Sequence, residues 1–279
     1  MNKDTLSLRF PETKDFRFNE AIKTLRTNIQ FSGSKVKTII VTSVAPNDGK
    51  SIISLMAAKA FAESGKKTLY VDADIRNSVT VSRYGIEGER VGLSQALSGQ
   101  ISFGEVIYGT EVPNLQMVLA GPYSPSPTEL FEDEMCGRFF RYLTDEEQYD
   151  MILIDTPPLG TVIDAAVLCR YADGITVVAA SEETTRRTLA RVMEQIDRTG
   201  TRFLGIILNK VRMNKGGYGK NGYGKYGYGY GYGYGYGYGY GYGYDNKDRN
   251  RGYDQSSGQD GSRKEDRGKK RGFPDILIK

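Results

Sequence analysis

The chain has 279 residues, with 38 Lys and Arg against 34 Asp and Glu, a formal charge of +4 and no histidine. Without an imidazole there can be no Ser-His-Asp or Cys-His nucleophile, no His-ligated zinc and no His-Arg-Asp catalytic loop. The length suffices for one sizeable α/β domain with an appendage, the N-terminal "MNKDTLSLRFPETKDFRF" is too charged for a secretory signal, and no apolar run approaches the roughly eighteen residues of a membrane span.

In chain order, Phe18, Ile22, Leu25 and Ile29 recur three or four residues apart before Gly33, which predicts an amphipathic helix over about 15–32. "VKTIIVTS" then reads as a strand, "GKSIISLMAAKAFAESG" as a helix, "KTLYVDAD" as a strand, "LSQALSG" as a helix and "LQMVLAG" as a strand. "PTELFEDEMCGRFFRYL" reads as one helix, "YDMILIDTP" as a strand, "IDAAVLCRYA" as a helix and "GITVVAA" as a strand; "TTRRTLARVMEQIDRTG" and "RFLGIILNKV" close the series as helix and strand. The runs Met151–Ile154 and Leu204–Leu208 do not alternate with polar residues, as expected of strands covered on both faces. Strand and helix in alternation give an α/β fold with a mostly parallel sheet flanked by helices, whose ligands lie beyond the carboxyl ends of the strands. Cys136 and Cys169 fall in helical segments, too far apart for a CxxC pair, and read as buried thiols of a reducing compartment.

Charge divides the chain. Residues 212–279 carry 14 Lys and Arg against 7 Asp and Glu, which leaves 24 against 27 for the preceding 211. Aliphatic residues disappear after about Lys215 and return only in the terminal "FPDILIK", so the expected division is a folded domain over 1–214 and a disordered, basic, Gly/Tyr-rich tail over 215–279.

The chemistry is carried by three strand ends. "APNDGKS", Ala45 to Ser51, follows the first long strand and opens a helix, the context of a P-loop in a P-loop NTPase fold, with Ala45 where glycine is usual. Gly49 lets backbone N–H groups face phosphates, Lys50 reaches the β- and γ-phosphates and Ser51 ligates Mg²⁺. "LYVDADIR" sets Asp72 and Asp74 at a second strand end with Arg76 two residues on, and "ILIDTPP" puts Asp155 at a third, the position of a magnesium-supporting acid. One Asp after a strand is usually a cap or a turn former. Three of them at the sheet edge that bears a P-loop are better explained by a metal and a proton acceptor.

These motifs, in this order, resemble the catalytic domain of the bacterial tyrosine kinases that govern capsule and exopolysaccharide assembly. The resemblance covers roughly residues 15–215, and "DADIR" with a tyrosine-rich C-terminus is its most specific part. It implies an ATP-dependent protein-tyrosine kinase in which Ala45, Pro46, Asn47, Asp48, Gly49, Lys50, Ser51 and Ile52 hold ATP·Mg²⁺. Ser51, Asp74 and Asp155 support the metal, and Lys50, Asp72, Asp74 and Asp155 form the catalytic set. Asp72 accepts or orients the proton of the incoming phenol. Arg76 either neutralises phosphate charge or pairs with a nearby acid, and Asn209 in "LNKV" could touch the adenine. Ile52 departs from P-loops that carry a second hydroxyl residue there. The related partition and division-site ATPases carry an extra lysine near the P-loop start; "SVAPND" does not.

The resemblance also implies a homo-oligomeric ring, with an octamer as one size, assembled through a Glu-x-x-Arg-x-x-Arg helix. Here that motif reads Glu20, Lys23, Arg26, and lysine cannot reproduce a bidentate guanidinium fork; taken without the resemblance, the same residues read as a solvated helix face. It further implies a separate transmembrane activator that recruits the kinase to the inner face of the membrane from the cytoplasm, a cognate tyrosine phosphatase and other protein substrates.

The tail admits three accounts. Tyr218, Tyr223, Tyr226, Tyr228, Tyr230, Tyr232, Tyr234, Tyr236, Tyr238, Tyr240, Tyr242 and Tyr244 are phosphoryl acceptors; or the segment is a nucleic-acid or condensate module; or it is tolerated low-complexity sequence. Reach favours acceptors, with nucleic acid not favoured. A Gly-rich chain of about 30 residues spans roughly 30 Å root-mean-square and about three times that when extended, enough to enter a neighbouring subunit at an effective concentration on the order of millimolar. The competing function is a partition- or division-type ATPase switch whose basic aromatic tail binds a partner.

Overall fold

The computed structural model describes residues 5–10, 16–88 and 90–211. The expected domain limit at residue 214, the tail over 215–279 with all twelve acceptor tyrosines, and "FPDILIK" lie outside them.

Eight strands form one sheet: β1 (Thr5–Leu6), β2 (Thr38–Ser43), β3 (Thr68–Asp72), β4 (Ile107–Thr110), β5 (Leu115–Val118), β6 (Met151–Asp155), β7 (Gly174–Ala180) and β8 (Phe203–Asn209). Their spatial order is β1-β4-β5-β3-β6-β2-β7-β8. Every neighbouring pair is parallel except β4 with β5. The P-loop NTPase architecture expected from the strand–helix alternation is therefore present, with a two-strand antiparallel edge added.

The helices are α1 (Phe16–Phe31), α2 (Lys50–Glu63), α3 (Thr80–Tyr84), α4 (Leu93–Leu97), α5 (Pro127–Glu132), α6 (Glu134–Arg141), α7 (Asp164–Leu168) and α8 (Arg186–Thr199). Every residue of β2, β3, β6 and β7 is buried, which is why their apolar runs do not alternate. Alternate residues of these strands feed two cores. Ile39, Val41, Tyr70 and Leu153 pack with α1 and α2 through Leu25, Ile29, Leu55 and Phe61. On the other face Ile40, Val71, Ile152 and Ile154 pack with Phe131, Phe139, Leu168 and Ile196 of α5 to α8.

Several boundaries differ from the sequence expectation. The single helix over 127–143 is two, α5 and α6, because Asp133 sits in extended backbone (φ −64°, ψ 151°) and its carboxylate accepts from Met135 N at 2.8 Å, capping a new helix start. The helix over 163–172 is α7 followed by a 3₁₀ turn, Cys169–Tyr171. Strands β1 and β4 and helix α3 were not anticipated. Cys136 and Cys169 are free and buried, and no described helix is long and apolar enough to cross a membrane.

On α1, Glu20 and Lys23 form an exposed ion pair at 2.7 Å. Arg26 turns inward instead and donates from Nη1 to Ala60 O in the last turn of α2 at 3.2 Å. A cation there meets the negative end of the α2 dipole, so the three residues do not present one common face.

Candidate active site

Strands β3, β6 and β2 are adjacent and parallel, so the segments that leave their carboxyl ends adjoin one another. The P-loop leaves β2. Asp48 folds back to accept from Ala45 N at 2.8 Å, Asn47 and Gly49 take left-handed backbone (φ 66° and 94°), and α2 begins at Lys50. A Cβ on Gly49 would lie 2.2 Å from Asn209 Nδ2 and would displace that amide, while the left-handed backbone itself favours glycine. Asn209, at the end of β8, donates from Nδ2 to Asp48 O at 2.8 Å. It therefore braces the P-loop as well as lining the cavity in front of it.

Lys50 Nζ lies 3.2 Å from Asp74 Oδ2 and 3.4 Å from Ser51 Oγ. Burial pulls the Lys50 pKa down, but Asp155, Asp74 and Asp72 together outweigh it and hold the amine charged. Asp72 and Asp155 are register partners on β3 and β6 and so point to the same face, joined there by Tyr70, whose hydroxyl donates to Asp155 Oδ2 at 3.1 Å. Burial pushes the Asp155 carboxyl up to about 7, with Lys50 opposing and Asp72 reinforcing; burial likewise raises Asp72.

The cavity in front of these groups has a volume of about 500 Å³, within the range of small-molecule sites. Pro46, Asn47, Gly49, Lys50, Ser51, Ile52, Asp74, Arg76 and Asn209 line it. Asp72 and Asp155 are buried outside that lining, and Ala45 and Asp48 line a separate cavity with Thr185 and Arg191. Asp72 is 1% exposed, and its two oxygens accept from Asp74 N at 3.1 Å and Ser78 Oγ at 2.6 Å. Arg76 takes the ion-pair alternative: it meets Asp164 at 2.6 Å. Lys210, inside the "LNKV" that follows the last strand, lines the cavity beside Asn209. Sequence reading missed Arg83, which also lines it, and the supporting roles of Tyr70, Ser78, Thr128 and Asp164.

Among the described residues, no three Asp, Glu, Cys or His side chains converge tightly enough to hold a metal by themselves. Mg²⁺ takes one or two carboxylates and completes its shell with phosphate and water oxygens. Asp155 Oδ1 is buried and has no hydrogen-bond partner among the described residues, an acceptor left over on the strand end beside the P-loop.

A family profile described as an AAA domain matches residues 36–209. The tyrosine-protein kinase CpsD of Streptococcus agalactiae is 39% identical over 214 residues, covering 75% of this chain and 93% of that one. The solved kinase domain of the Escherichia coli tyrosine kinase ETK is 29% identical at a TM-score of 0.64, covering 76% of this chain and 80% of that domain. The septum site-determining protein MinD of Pyrococcus horikoshii, complexed with Mg-ADP, is 22% identical at a TM-score of 0.53, with 62% and 69% covered. That last likeness shows the nucleotide-binding fold alone, so the division-type ATPase reading is the weaker one. With 93% of the length of a tyrosine-protein kinase matched at 39% identity, the chain belongs to the bacterial tyrosine-protein kinases and is a P-loop protein-tyrosine kinase.

Proposed function

We propose that the chain uses ATP and Mg²⁺ to phosphorylate tyrosines of its own tail in trans, between subunits of a ring, and thereby regulates synthesis and export of a capsular polysaccharide or exopolysaccharide. The observation that carries this reading is the set of groups at one sheet edge: Lys50 held 3.2 Å from Asp74 at the cavity, with register-paired Asp72 and Asp155 buried on adjacent strand ends.

The P-loop from Ala45 to Ile52 cradles the phosphates, Lys50 neutralises the β- and γ-oxygens, and Arg76 and Asn209 border the nucleotide. Magnesium would be held by Ser51, Asp74 and Asp155 and supplies further neutralisation of phosphate charge. The tyrosine oxygen attacks the γ-phosphorus and the bond to the bridging oxygen breaks, leaving ADP. The phenolic proton passes to Asp72 after the Ser78 hydroxyl turns away, or through that hydroxyl. A weak carboxylate base suffices because phosphoryl transfer depends mainly on positioning and charge neutralisation.

The acceptors are the tyrosines from 218 to 244 in the tail over 215–279. Each phosphate adds about −1.5 to −2, so about four offset the +7 carried by residues 212–279 and loosen the assembly. Glu20 and Lys23 contribute the exposed part of the ring contact on α1, with Arg26 beneath them. A separate transmembrane activator brings the kinase to the membrane, and a cognate phosphatase resets it. Incubation of wild type and Lys50→Met with ATP and Mg²⁺, followed by phosphosite mass spectrometry, tests the reading. Multiple tail phosphotyrosines are expected in wild type alone; an unmodified wild-type tail, or equal modification of both proteins, refutes it.

A further inference from the structure

Arg76 leaves the segment after β3 and is caught by groups from two other segments. Its Nε donates to Asp164 Oδ2 at 2.6 Å and its Nη2 to Asp164 Oδ1 at 3.0 Å. Thr128 closes the arrangement: its hydroxyl donates to Asp164 Oδ1 at 2.7 Å and accepts from Arg76 Nη2 at 3.0 Å. Asp164 is the first residue of α7 and Thr128 lies in the first turn of α5. One bidentate pair thus ties the β3 segment, which also carries Asp74, to two helix starts.

The geometry is one-sided. The Asp164 side chain is fully buried, whereas that of Arg76 is 35% exposed and lines the nucleotide cavity together with Lys50, Ser51 and Asp74. Two of the three guanidinium nitrogens are consumed by Asp164 and Thr128. Nη1 has no hydrogen-bond partner among the described residues. The pair therefore does not cancel as seen from the cavity: the negative charge is sealed behind the positive one, and a long, flexible side chain is held in one orientation before any phosphate arrives.

We propose that Asp164, helped by Thr128, is a positioning residue for phosphoryl transfer, holding Arg76 so that its free edge meets the charge developing on the transferring phosphoryl group. Such preorganised donors act on the transition state more than on the bound nucleotide, and removing one costs on the order of 10² to 10³ in rate. This inference rests on the reading of the cavity as the site of transfer. The simpler role for the same pair is a strut between helices, which would move stability and leave the rate alone.

The experiment uses the full chain and measures ADP affinity, single-turnover transfer from ATP·Mg²⁺ and thermal unfolding for Arg76→Ala, Asp164→Asn, their combination and Thr128→Val. Arg76→Ala is expected to slow transfer about 100-fold with ADP affinity within about threefold of wild type. Asp164→Asn is expected to slow it about 10-fold alone and less than about twofold further in the Arg76→Ala background, since it acts through that side chain. Thr128→Val, which removes one hydroxyl without breaking the ion pair, gives a smaller loss of the same kind and serves if Asp164→Asn does not fold. Equal slowing by Asp164→Asn in both backgrounds, parallel loss of ADP affinity and rate, or a lower melting temperature with an unchanged rate would each overturn the proposal. Failure of the kinase reading is separable, because it would show in wild type and Lys50→Met before any of these variants is compared.

Discussion

Gly49→Ala tests the P-loop geometry most directly, because two independent costs meet at that position. At φ 94° an alanine bears a left-handed penalty of about 1–2 kcal/mol. Its Cβ would also stand 2.2 Å from Asn209 Nδ2, a contact that forces the amide away and breaks its 2.8 Å bond to Asp48 O, worth about 1 kcal/mol. The sum is about 2–3 kcal/mol, or a fall in melting temperature of about 5–10 °C for a domain of this size. Asn209→Ala alone costs about 1 kcal/mol, since only the brace is lost. In Gly49→Ala/Asn209→Ala the strain remains but the lost bond is counted once, so the pair is sub-additive by about 1 kcal/mol. Thermal and urea unfolding of the four proteins without nucleotide gives the cycle. A double variant whose cost equals the sum of the single ones, or Gly49→Ala within about 0.5 kcal/mol of wild type, would refute the claim that Asn209 is what excludes a side chain at Gly49.

Asp155 predicts a pH dependence. Its folded carboxyl keeps a proton up to about pH 7, whereas an unfolded one loses it near 3.8, so between those values the folded state binds more protons and stability falls as pH rises. Metal- and nucleotide-free wild type should therefore lose more stability than Asp155→Asn between pH 5 and pH 8; an equal or opposite difference in melting temperature would contradict this. Phe61, fully buried between α2 and the sheet, should cost about 3–5 kcal/mol when truncated to Ala, with urea unfolding as the readout. A loss below about 1 kcal/mol would mean that this core relaxes around the cavity.

The strand ends were legible because everything that defines them is local. An apolar run that ends in Asp, or in a turn closing on Gly49-Lys50-Ser51, announces its own position on a parallel sheet, and the spatial sequence β3-β6-β2 then brings Asp72, Asp155 and the P-loop together. What supports them is not local. Arg76 meets Asp164 across 88 residues and Thr128 across 52, and nothing in either neighbourhood singles out its partner. Strand β4, and with it the hairpin to β5, escaped for a different reason. The strand has four residues and the hairpin's turn relies on Asn114 in left-handed backbone (φ 64°), too little pattern to separate from a loop.

The Asp72/Asp74 pair shows where periodicity stops being informative. Residues two apart share a face only while the strand continues, and β3 ends at Asp72. Asp72 keeps the strand's direction, pairs in register with Asp155 and is sealed by Ser78 and the Asp74 amide. Asp74 has already entered the turn, accepts from Asn77 N at 3.1 Å and faces Lys50 in the cavity. Two acids that look equivalent in "DAD" thus have different partners, and burial raises the pKa of Asp72. A carboxylate whose affinity for a proton is raised in this way is better suited to receive one from a phenol, while its neighbour is paired with Lys50 at the cavity. The division of labour proposed for the two acids comes from the residue at which the strand ends.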